Sequence, residues 1–178
     1  MIRWCAAVES LFALLLPLSV NAEMVVQACF SPQGKCSTHI RREIDQAKQE
    51  LLVAVYAFTH DELAQALVQA KKRGVTVQVV IDREFDANNE NSKGKFFEVQ
   101  NIPLRRLSGL RPPQYSKDKG LVAKKSASIG RRSVLTGSYN WTHSADRVND
   151  ENLLLFRDAG PLAEEYRRAF AQLWERKS

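Results

Sequence analysis

The stretch LLVAVYAFTHDELAQALVQAKKRGVTVQVVID, residues 51–82, decides the fold class. It opens on LLVAVYAF, an almost unbroken apolar run of the kind found in a strand buried on both faces. Helical periodicity follows: Leu63, Ala66, Leu67 and Ala70 recur on one face of a helix predicted over residues 59–73. Thr59 and Glu62 have the spacing of a capping box at its start, and Gly74 stops it. VTVQVVID, residues 75–82, is β-branched and apolar again, as a second buried strand. Strand, helix, strand in this order is a β-α-β unit, with parallel strands and a right-handed crossover.

On the amino-terminal side, residues 24–30 read as a strand. Residues 37–50 read as a helix with Ile40, Ile44 and Ala47 on one face. On the carboxyl-terminal side, residues 88–94 are polar and loop-like, 96–100 suit a short helix and 102–107 a strand. A long loop rich in Pro and Lys spans residues 108–120. A β-hairpin over 121–136 turns near Gly130, and 152–156 form a last strand. Residues 161–174 make an amphipathic closing helix with Leu162, Tyr166, Phe170 and Leu173 inward. The predicted class is α/β: a single-domain α-β-α sandwich with a mixed, mostly parallel sheet and helices on both faces. No repeat, heptad or linker divides the chain.

Composition agrees with one domain. The 178 residues are 44% hydrophobic and 26% charged, enough to bury a core. Eight Gly and six Pro exclude a collagen-like or low-complexity chain. The body has no apolar run long enough for a multi-spanning membrane protein.

Residues 1–22 have the form of a secretory signal peptide, leaving a domain over 23–178. Arg3 supplies the positive start, residues 11–20 an apolar stretch too short to span a bilayer comfortably, and Val20-Asn21-Ala22 a small-x-small cleavage site. Glu9 fits this pattern poorly, and the same segment also fits an N-terminal anchor that stays attached. Cleavage near Ala22 leaves a periplasmic or secreted chain with no stable transmembrane anchor. Cys5 departs with the leader. Cys29 and Cys36 remain, an even count in an oxidising compartment, and suit a disulfide between the first strand and the first helix. Two free buried thiols are the alternative. Their spacing is neither a CxxC redox motif nor a zinc ligand set.

Formal net charge is +6, which favours anionic partners. The excess is local. Arg105, Arg106, Arg111, Lys117, Lys119, Lys124, Lys125, Arg131 and Arg132 face only Asp118 within residues 105–132. The segment suits a platform for a phosphodiester backbone or an anionic membrane, and equally a solvated basic loop. Tyr115 is its one aromatic residue, so base stacking has little support there.

Chemistry concentrates in TGSYNWT, residues 136–142. Gly137 permits a tight turn, while Ser138 and Asn140 present a hydroxyl and an amide at alternate positions. With backbone N–H groups and a lysine, such groups suit a phosphate oxygen. Lys125 lies upstream across the hairpin, and Glu151 follows at a strand start.

This layout resembles the phospholipase D superfamily, in particular its small exported bacterial endonuclease branch. The signature there is H-x-K-x4-D-x6-G-S-x-N followed by a Glu. Lys125, Gly137, Ser138, Asn140 and Glu151 stand at matching positions. The strand ending YAFT, the helix ending KKRG, the strand VTVQVVID and the cysteine pair in CFSPQGKC are similar to that branch too, over residues 24–175. The resemblance implies a phosphodiesterase for nucleic acid or phospholipid that needs no metal or other cofactor. It also implies a homodimer with the active site at the interface, binding a phosphodiester ligand.

Two motif positions depart from the pattern. Ala123 stands at the His position and Gly130 at the Asp position. The remaining histidines, His39, His60 and His143, do not begin an H-x-K. In the family this His attacks phosphorus, and its counterpart in the second motif copy protonates the leaving oxygen. One substitution therefore removes both groups from a symmetric dimer. Ser126 and Ser128 replace the bulky apolar residues usual in that strand. The expectation is a member with little or no turnover; the alternative is a catalytically dead, exported phosphodiester-binding protein. Glu151, without the His it would orient, could pair with Lys125 and neutralise the pocket. His143, near Asn140, and the lysines 124 and 125 are the possible substitutes for the nucleophile.

Overall fold

The computed structural model describes residues 23–109 and 120–177. Along the chain run β1 (Val25–Ser31), α1 (Cys36–Gln46), β2 (Glu50–Val55), α2 (Asp61–Lys72), β3 (Thr76–Asp82), α3 (Arg83–Asn88) and α4 (Gly94–Val99). They are followed by β4 (Leu104–Leu107), β5 (Lys125–Ile129), β6 (Ser133–Gly137), α5 (His143–Arg147), β7 (Glu151–Arg157) and α6 (Gly160–Glu175). The expected signal peptide lies outside the described residues. So do Arg111, Tyr115, Lys117, Asp118 and Lys119.

The seven strands form one sheet in the order β1-β7-β6-β5-β2-β3-β4. The β-α-β unit is present: β2 pairs with β3 in parallel, Val53 opposite Val79. β4 extends that parallel half, Val79 opposite Leu104. The rest corrects the expectation of a mostly parallel sheet, because β1/β7, β7/β6, β6/β5 and β5/β2 are all antiparallel. For β5 and β6 the cause is connection length. A parallel return needs a crossover of a dozen or more residues, whereas β5 and β6 are joined by a tight turn at Gly130.

Helices cover both faces, as the sequence predicts. In β2, Leu51, Val53 and Val55 enter the main core with Ile40, Ile44, Leu63 and Leu67 from α1 and α2. Leu52 and Ala54 face the other way, onto Phe170 of α6, with Val80, Leu107 and Val122. Burial on both faces explains the unbroken apolar run. In α6, Phe170 is buried, while Leu162, Tyr166 and Leu173 are half-buried. Cys29 and Cys36 form a disulfide between β1 and the start of α1.

The capping box does not form. α2 begins at Asp61, and the His60 side chain makes no cap bond. The Thr59 and His60 N–H groups instead donate to Trp141 O, at 2.9 and 3.0 Å, which holds the β2–α2 loop against the chain after β6. Two short helices, α3 and α5, had no counterpart in the periodicity. Beyond β4, Gly109 N–H donates to Gly120 O at 2.6 Å, closing a narrow neck. A Cβ on Gly109 would lie 2.5 Å from the Gly120 backbone, so the approach requires glycine. Among the described residues no helix is long and apolar enough to cross a membrane.

Candidate functional site

Register brings the motif residues to one edge of the sheet. Val55, at the end of β2, lies opposite Lys125, at the start of β5. Ser126 lies opposite Thr136, and Gly137 opposite Leu153. The starts of β5 and β7 and the ends of β2 and β6 therefore meet, carrying Lys125, Glu151, Tyr56 and the Gly137–Asn140 loop.

The loop is held by its aromatic residues. Tyr139 and Trp141 are almost fully buried, so the alternation that sends them inward turns Ser138 outward and leaves Asn140 half-buried. Trp141 packs edge-on against Phe58, with centroids 5.2 Å apart, and its N–H donates to Ala57 O at 3.2 Å. Tyr139 donates its hydroxyl to Asp146 at 2.9 Å; burial, then that hydrogen bond, push its pKa up. Burial disfavours the Asp146 charge, but hydrogen bonds from Ser37 and Tyr139 outweigh it and hold that carboxyl below its usual range. Gly137 is required for contact: a Cβ there would lie 2.2 Å from Asn152 O, at φ +148°.

Ser138 and Glu151 form a pair, with the serine hydroxyl donating to Glu151 Oε2 at 2.5 Å. Asn152 N–H donates to the same hydroxyl at 3.0 Å, and Asn149 Nδ2 donates to Glu151 Oε1 at 3.2 Å. The expected alternative of a Glu151–Lys125 pair is not formed. Lys125 Nζ instead donates to Ala123 O at 3.2 Å and lies 6.0 Å from the centre of the Tyr56 ring. The Lys125 charge thus has no carboxylate partner among the described residues, and the site is not neutralised.

Ala123 is exposed beside it. The backbone there is fixed one residue earlier, where Val122 N–H donates to Asp82 Oδ2 at 2.9 Å. Asp82 is fully buried and its other oxygen accepts the N–H groups of Glu84 and Phe85, capping α3. A hollow of about 400 Å³ opens over Ala123, lined by Lys124, Lys125, Gly137, Glu165 and Tyr166. Gly130 is elsewhere, in the hairpin turn at the opposite end of β5, with φ +57°. Ser126 and Ser128 are accommodated on the α6 side of β5. Ser128 is buried and donates to Gly130 O at 3.4 Å.

None of the three histidines lines this hollow. His39 lies on α1 against Gln27 and Arg42. His60 and His143 stack, centroids 4.4 Å apart, on the other side of the Asn140 loop. His143 Nε2 is 3.2 Å from Asp61 Oδ2, and Lys93 Nζ is 2.6 Å from Asp61 Oδ1. Burial, then the neighbouring His143, lower the His60 pKa. Lys93 and Asp61 were not singled out from the sequence, since neither falls in a recognisable motif.

The basic segment is contiguous in sequence but scattered in space. Arg105 donates to the Trp174 and Arg176 carbonyls, and Arg106 binds Asp86 and Glu98, both from β4. Lys124 is exposed by Ala123, while Arg131 and Arg132 lie at the far turn, Arg132 paired with Asp158 at 2.7 Å. Among the described residues no three His, Cys, Asp or Glu side chains gather as metal ligands.

Residues 40–174 match the family model described as "Cardiolipin synthase, PLD-like domain". The chain belongs to the phospholipase D-like family. It is 32% identical over 142 residues to a phospholipase D of Rickettsia felis, covering 79% of this chain and 65% of that one. It is 31% identical to the human mitochondrial cardiolipin hydrolase, covering 83% of this chain and 53% of that one. The crystal structure of the phospholipase D family member Nuc from Salmonella typhimurium superposes with a TM-score of 0.75 at 30% identity, covering 85% of this chain and 95% of Nuc. NucT from Helicobacter pylori gives 0.79 at 25% identity, covering 86% and 97%. The fold is thus that of the phospholipase D-like family.

Proposed function

We propose that this phospholipase D-like protein is exported, binds a phosphodiester at Lys125, Ser138 and Asn140, and turns it over slowly or not at all. The observation that carries this is Ala123. Breaking a phosphodiester needs a lone pair to attack phosphorus and a proton for the departing oxygen. A methyl group supplies neither, and no histidine lines the hollow above it. Binding has what it needs: a lysine with no carboxylate partner among the described residues, an exposed serine hydroxyl and the Asn140 amide. Ser138 must turn its hydroxyl from Glu151 to donate to a phosphate oxygen, which only accepts. In the proposed homodimer two such cradles face each other across the interface, and both lack the imidazole.

The test pairs turnover with binding. The mature protein is expected to leave a chromogenic phosphodiester intact at high loading, with or without EDTA. It is expected to bind a short DNA oligonucleotide with an affinity that falls as salt rises. Hydrolysis by the natural chain would overturn the loss of turnover. Absence of salt-sensitive binding to nucleic acid and to anionic vesicles would overturn the cradle.

A further inference from the structure

Beside the cradle is a second hollow of about 580 Å³, lined among others by Tyr56, Phe85, Asn89, Asn91, Lys93 and Asn140. We propose that it receives a nucleobase attached to the bound phosphate, so that this chain reads bases and not only the backbone. The inference rests on the phosphodiester-binding reading above and extends it.

Four observations lead there. The hollow begins where the cradle ends: Asn140 belongs to both, and Tyr56 both lines it and lies under Lys125 Nζ. Its wall is aromatic, with the Tyr56 and Phe85 rings tilted at 56° and 5.3 Å between centroids. Base faces stack on such rings whatever their sequence. Its rim carries three amides, and amides offer the mixed donor and acceptor edge that bases present. Asn89 Oδ1 accepts Asn91 N–H at 3.0 Å, which orients that side chain and leaves its amide N–H groups for a ligand. Finally, the carboxylate of the hollow is already engaged. Asp61 holds Lys93 at 2.6 Å and His143 at 3.2 Å, so it is not free to take the ammonium of a choline or ethanolamine headgroup. A flat, neutral group with a polar edge fits these walls better than a cationic one.

The experiment compares two fluorescent DNA hexanucleotides with equal phosphate counts, one carrying bases and one abasic, titrated against the full protein at one salt concentration. The base-bearing strand is expected to bind on the order of tenfold more tightly. Phe85→Ala and Asn91→Ala are expected to remove that advantage while leaving abasic binding unchanged. Asn91 is exposed, so its variant keeps the test sound should Phe85→Ala unfold. Equal affinity for the two strands would overturn the base pocket and leave phosphodiester binding standing. No binding of either strand would overturn both. Phosphatidylglycerol vesicles that bind more tightly than the oligonucleotide, and lose that binding in Asn91→Ala, would overturn it in favour of a lipid headgroup.

Discussion

The two ends of β5 differ in what the fold gathers around them. At the Lys125 end polar groups meet, Lys125, Ser138, Asn140 and Glu151, and on the proposed reading Ala123 stands there in place of an imidazole. At the Gly130 end the position lies in a hairpin turn with positive φ, five strand residues from the cradle. There a glycine suits the backbone. Motif residues close in sequence can thus divide between chemistry and folding.

Restoring the imidazole should give the largest effect. Ala123→His is expected to raise hydrolysis of a chromogenic phosphodiester on the order of 10³-fold over the natural chain, without metal. Adding Gly130→Asp should raise it little further. If turnover returns only when both are changed, the two ends are coupled and the comparison fails. Lys125→Ala should weaken oligonucleotide binding on the order of tenfold, and Arg131→Ala, at the other end, much less. Equal losses, measured by anisotropy, would make the binding surface a diffuse one. Gly130→Asp alone should leave binding unchanged and destabilise the fold by about 1 kcal/mol, since a side chain at φ +57° is strained although nothing obstructs it. Chemical denaturation reads this directly.

The smallest expected effect concerns His60. Burial, then the neighbouring His143, lower the His60 pKa from its ordinary 6.5 in the folded state, so as pH falls through that value the unfolded chain takes up a proton first. Stability should therefore decline from about pH 6.5 downward. Thermal melts at about pH 7 and about pH 5 should show the drop, and His60→Gln should lessen it.

Much of this was legible before the structure. Periodicity over residues 51–82 yields β2, α2 and β3, because full burial and helical spacing leave strong patterns. The G-S-x-N spacing marks the loop that the register sets beside Lys125 and Glu151. Strand direction did not follow, since it depends on how β5, β6 and β7 connect, and α5 hides in a segment too short to show a period. The described residues of the basic segment are spread apart for a topological reason: β4 and β5 are neighbours in sequence, but β2 and β3 lie between them in the sheet. The partner of Glu151 was out of reach because register, which sets Ser138 beside Asn152, decides it.

The neck at Gly109 and Gly120 has a consequence for how the protein can vary. The chain leaves and re-enters the fold at one point, and Val122, just beyond, is tied to Asp82. Lys125 is positioned from here, by the Val122 bond just before it and by its own pairing with Val55. A change at Gly109, Gly120 or Asp82 therefore acts at a distance, slackening the anchorage of Lys125 without touching it.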